Sequence, residues 1–168
     1  MSGWRRFLVA GIGTLSLIGA GAAPASAEDR GGRLLEFDSM TPVTGAAVGA
    51  VNDRGIKGGG LPWAITAGRG HVDRNGHLAV TVEGLVIPVA PFNGTNPAAN
   101  FRATVSCLTR DGVVNVTTGL FPATPSGNAK IEATVSLPRH CRQPILFVTS
   151  PTGAWFAMSN PEEDEDGD

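Results

Sequence analysis

The chain predicts an all-β domain, an antiparallel sandwich of about seven to nine short strands. Three observations predict it. Apolar and polar residues alternate in several runs of five to eight residues, the period of a half-buried strand. Turn signals rich in Gly, Pro, Asn and Asp punctuate those runs, and no long segment carries the 3.6-residue period of a helix. The third is the pair Cys107 and Cys141, the only cysteines of the chain. They follow an N-terminus patterned for export, and oxidising compartments preserve disulfides. Such a bond closes a loop of roughly 35 residues and contributes about 4 kcal/mol in the chain-entropy account.

In chain order, Leu34 to Phe37 is a first short strand. Asp38 to Thr44, with Pro42, is a turn and an extended edge. Ala46 to Val51 is small and apolar, and its glycines favour a tightly packed strand over a helix. Lys57-Gly58-Gly59-Gly60-Leu61-Pro62 is a flexible loop. It is not a phosphate-cradling loop, because its lysine precedes the glycines and no Gly-Lys-Ser/Thr opens a helix. Trp63 to Ala67 alternates as a strand with Trp63, Ile65 and Ala67 on one face. Asn75-Gly76 is a hairpin turn, since such turns need residues that tolerate positive φ.

Leu78, Val80 and Val82 then point one way, and a bulge at Gly84 switches the faces ahead of Leu85 to Pro88. Pro88 to Pro97 is a long loop. Phe101 to Leu108 is a strand with Phe101, Ala103, Val105 and Cys107 on one face. Asp111-Gly112 is the second hairpin turn, and the chain returns through Val114 and Val116. Leu120 to Asn128 is a loop. The most regular strand follows, with Ile131, Ala133, Val135 and Leu137 inward, and Pro138 ends it. Ile145 to Val148 is apolar on both faces, which marks a central strand. Pro151-Thr152-Gly153 turns the chain into Ala154 to Met158, the last strand. The layout is immunoglobulin-like, although no Trp lies between the two cysteines as that family's pattern requires.

The ends carry different signals. Residues 1–27 have the secretory pattern: Arg5-Arg6, an apolar stretch from Phe7 to Ala23, and a small-residue cleavage site at Ala25 and Ala27 ahead of Glu28. Arg5-Arg6 resembles a twin-arginine signal, but Phe7-Leu8 follow directly, so general secretion fits better. Residues 28–33 are a flexible leader, 34–159 the sandwich domain, and 160–168 an acidic tail expected to be disordered by its own repulsion. After cleavage about 140 residues remain, enough for a core of their own. Eleven basic residues then face fifteen acidic ones, six of the acids in the tail. The body has no basic field of the kind that marks a nucleic-acid binder, and no second apolar run reaches the ~20 residues that span a bilayer. Localisation is therefore extracellular, with no integral membrane segment after cleavage.

One polar cluster bears on chemistry. His71, Asp73 and His77 fall around the Asn75-Gly76 turn. A metal centre needs further convergent ligands, and an acid–base pair needs a nucleophile beside it. Neither is signalled, so no metal and no cofactor is expected. A calcium loop fails as well, because its glycine and final glutamate are misplaced. No Gly-x-Ser-x-Gly, His-Glu-x-x-His or Ser-x-x-Lys motif occurs. Trp63, Trp155 and Phe156 are candidates for an exposed aromatic platform, with Trp155 and Phe156 on opposite faces of one strand.

The Phe101–Cys107 segment, Cys141 and Gly153-Ala154-Trp155-Phe156-Ala157 resemble a group of small exported actinobacterial proteins, across most of the chain beyond the signal. That resemblance implies secretion and a β fold, and nothing about catalysis. The expectation is a secreted, non-enzymatic module that binds an extracellular protein or cell-wall component. The alternatives are a small hydrolase using His71, Asp73 and His77, and a secreted enzyme inhibitor presenting Pro88–Pro97 or Leu120–Pro125.

Overall fold

The computed structural model describes residues 32–160. The secretory signal expected at 1–27 with its Ala27–Glu28 junction, most of the expected leader, and the acidic run beyond Asn160 lie outside those residues. The described chain forms ten strands: β1 (Arg33–Phe37), β2 (Ser39–Pro42), β3 (Ala67–Asp73), β4 (His77–Glu83), β5 (Asn100–Thr109), β6 (Gly112–Thr117), β7 (Phe121–Pro122), β8 (Ala129–Thr134), β9 (Arg142–Thr149) and β10 (Trp155–Asn160). They make two antiparallel sheets. The first runs β1-β3-β4-β8 and the second β2-β10-β9-β5-β6, with β7 pairing the start of β5. The all-β sandwich with one disulfide is thus the observed fold.

Inward side chains of both sheets meet in one core. From the first sheet come Leu78, Val80, Val82 and Ile131, all buried. From the second come Phe101, Ala103, Val105, Leu146 and Val148, each fully buried. The β9 strand is central, between β10 and β5, and its second half is buried on both faces, which accounts for its apolar run. Edge strand β2 carries Pro42, where a missing N–H does least harm.

Three local expectations are corrected. Ala46 to Val51 is not a strand: Gly45–Ala47 is a single 3-10 turn ended by Val48 in an extended conformation, and Gly49 follows at φ +70, in the left-handed region open to glycine. The Lys57–Pro62 stretch is packed rather than loose. Gly58 donates to the Ala50 carbonyl and Gly59 to that of Trp155, and a Cβ on Gly58 would collide with the Ala47 carbonyl oxygen. Trp63 to Ala67 forms no continuous strand. Only Ala64 bridges, to Val86, and β3 begins at Ala67.

At Gly84 the sheet does change parity. β4 ends at Glu83, Gly84 takes φ +65, and Leu85 and Ile87 become the buried pair. The Leu85 N–H then continues the line of pairing by donating to the Gly127 carbonyl.

Candidate functional site

β3 and β4 pair with Val72 opposite Leu78 and His71 opposite Ala79. Side chains alternate across a strand. Val72 and Leu78 face the core, so His71, Asp73 and His77 share the outer face of the first sheet. All three stand on that face, on the strands flanking the turn. The two imidazole rings lie 6.1 Å apart and tilted by 56°. Asp73 is already engaged, since its Oδ1 accepts from Arg33 Nη1 at 3.1 Å. Glu36 lies opposite His71 on β1, and its carboxylate accepts from Arg33 Nε at 3.3 Å. No group of three His, Cys, Asp or Glu suited to hold a metal ion exists among the described residues.

The aromatic platform is corrected. Trp63, Trp155 and Phe156 are all buried. Trp63 stacks on Phe156 at 3.9 Å, and both rings meet Phe101 edge-on. On the other side of β10, Trp155 packs edge-on against Phe147 at 5.9 Å. The two residues do point to opposite faces, but each finds aromatic cover.

Trp155 and Phe147 are covered because the outer face of the second sheet is not open. The segment from Asn52 to Lys57 lies across it. Arg54 donates through Nη1 to the Ser106 carbonyl at 3.4 Å and through Nη2 to that of Gln143 at 2.8 Å. Asn115 Nδ2 donates back to the Arg54 carbonyl, and Trp155 N–H donates to that of Lys57. Burial pulls the Arg54 guanidinium below its ordinary pKa, with nearby Asp53 opposing. The group stays charged at any physiological pH.

Cys107 and Cys141 are bonded, with Cα atoms 4.7 Å apart. Cys107 sits fully buried in β5, and Cys141 immediately precedes β9. The bond therefore staples two neighbouring strands of one sheet at the same end. At that end the molecule carries a feature the sequence reading missed. A cavity of about 360 Å³ is lined by Arg74, Arg110, Arg139, His140 and Arg142 around Leu34, Leu137, Pro138 and Cys141. Leu34 comes from β1, Arg74 from the β3–β4 turn, Arg110 from the β5–β6 turn, and the rest from the β8–β9 connection and the start of β9. The only sequence signal is that each arginine sits at or beside a turn.

The fold and this end define a disulfide-stapled β-sandwich. No family, curated protein or solved structure matches the chain.

Proposed function

We propose that the protein is an exported, non-enzymatic β-sandwich module that acts by binding, either to an extracellular protein or to a component of the cell envelope. The observation that carries this reading is the bond between Cys107 and Cys141, since such bonds persist in oxidising compartments and are rare in the cytosol. The secretory pattern of residues 1–27 and the resemblance to small exported actinobacterial proteins point the same way. The immunoglobulin-like layout belongs to the proposal too. Two packed antiparallel sheets support it. The disulfide departs from it, joining neighbours of one sheet where the immunoglobulin bond crosses between sheets.

The test is to express the chain with its own N-terminus in a bacterial host, fractionate the cells, and weigh the product. The expected product lies outside the cytoplasm, begins at Glu28 and resists thiol labelling. An intact chain held in the cytoplasm with two reactive thiols would overturn the reading.

A further inference from the structure

The cavity at the disulfide end has a lining of one sign. Four arginines and His140 surround it, and no carboxylate is among the residues that line it. The ion pairs among the described residues are Arg33 with Glu36, Arg33 with Asp73, and Arg69 with Glu83. None of the four cavity arginines takes part in one. Ten basic side chains other than histidine lie in the described body, so four of them converge on one cavity at one end of the sandwich. Leu34, Leu137, Pro138 and Cys141 complete the lining. Guanidinium groups set beside low-dielectric walls attract anions more strongly than the same groups in open solvent. Their planar forks also match carboxylate and phosphate oxygens in pairs.

We infer that this cavity is an anion-binding site whose ligand carries closely spaced phosphate or carboxylate groups. Arg74, Arg110, Arg139 and Arg142 hold the charged oxygens, and Leu34, Leu137 and Pro138 meet the ligand's backbone. The inference rests on the binding reading above and gives it a ligand class. Two sources can supply that chemistry. One is an external polyanion. The other is the acidic run of this chain, Glu162 to Asp166 with Asp168. The second source follows directly on β10. Leu146 N–H donates to Ser159 Oγ and β10 runs antiparallel to β9, so the end of β10 at Asn160 lies beside the first half of β9, which begins at Arg142.

The experiment titrates the purified protein at low salt with linear polyphosphate and, separately, with hexaglutamate. It is run on the natural tail and on a tail with its acids neutralised (Glu162→Gln, Glu163→Gln, Asp164→Asn, Glu165→Gln, Asp166→Asn and Asp168→Asn). Saturable binding is expected, weakened about tenfold or more in Arg139→Ala/Arg142→Ala, as loss of charge-assisted hydrogen bonds predicts. Arg110→Ala, on a separate turn, weakens it as well. The charge-matched control Arg69→Ala/Lys130→Ala, on the outer face of the first sheet, changes it less than about twofold. Tighter binding with the neutralised tail identifies the tail as the resident occupant, and equal binding identifies an external polyanion. Equal loss in both double variants would reduce the effect to net charge and overturn the site. So would the absence of binding with either tail. Cell location does not enter the titration. An exported protein that fails it loses this site alone, and a cytoplasmic protein that passes loses the export reading alone.

Discussion

The two sheets solve the same burial problem differently. The first is covered on one side only. Along β4, Leu78, Val80 and Val82 are buried, while Ala79, Thr81 and Glu83 stay partly exposed. The second is covered on both along β5 and β9, while its edge strand β6 stays exposed. In β5 Ala103, Val105 and Cys107 face the core, yet Thr104 and Ser106 on the opposite side are buried as well. Their cover is the Asn52–Lys57 segment pinned by Arg54. A one-sided sheet can be dismantled from water. A two-sided one must first lose its cover, so the stability of the molecule is concentrated around β5 and β9.

The largest test of that difference is the staple. Cys107→Ser is expected to cost about 2–5 kcal/mol. At this size, that lowers the melting temperature by roughly 5 °C or more. Reductant should reproduce the shift in the native protein and have no effect in the variant. A native melt indifferent to reductant would show that the second sheet does not depend on its bond.

Next comes the covering segment. Gly58→Ala drives a methyl group into the Ala47 carbonyl, and overpacking of this kind costs about 1–3 kcal/mol. Gly60→Ala, two residues on, meets nothing within 4 Å and should stay within about 0.5 kcal/mol. Equal effects at the two positions would mean that the loop is not packed. Arg54→Ala removes two bonds to backbone carbonyls and should cost about 1–2 kcal/mol, discounted for the partial exposure of the side chain. Its particular signature is in hydrogen exchange. The Gly59 and Trp155 amides, which tie the segment to β10, should lose protection while Val80 in the first sheet keeps its own.

The same contrast explains what the sequence disclosed. β4 and β8 were legible because their inward positions carry apolar side chains, large ones in β4 and Ala129, Ile131 and Ala133 in β8, and their outward ones are mostly polar. β9 was legible because a strand covered twice reads as an apolar run. β3 hid its start. Its inward positions are Gly68, Gly70 and Val72, and glycine leaves no mark in an alternation. Those glycines are needed: a Cβ on Gly68 would strike Met40, and one on Gly70 would strike Phe37 and the Ala79 carbonyl. Cover over the second sheet was hidden for another reason. Thr104, Ser106 and Thr149 have the polarity of exposed positions, and only tertiary contacts bury them. The arginine-lined cavity was hidden because its members come from separate connections. The disulfide pairing was legible from there being two cysteines behind an N-terminus with the pattern of an export signal.

The smallest expected effect falls on the open face of the first sheet. His71 and His77 lie among solvated neighbours, and the nearby carboxylate of Asp73 already accepts from Arg33. His71→Ala and His77→Ala should each change stability by no more than about 0.5 kcal/mol, the usual range for surface positions outside a packed or bonded network. Asp73→Asn should exceed either, because it weakens a pair that ties β1 to the β3–β4 turn, although an exposed pair contributes only about 0–1 kcal/mol. These substitutions also separate a binding module from a hydrolase. In the hydrolase reading the histidines carry proton transfer, so turnover of a simple ester by the purified protein would fall about 100-fold or more with either substitution. A slow background rate unchanged by both would place that reaction outside the cluster, and leave the open face of β3 and β4 as a solvated surface.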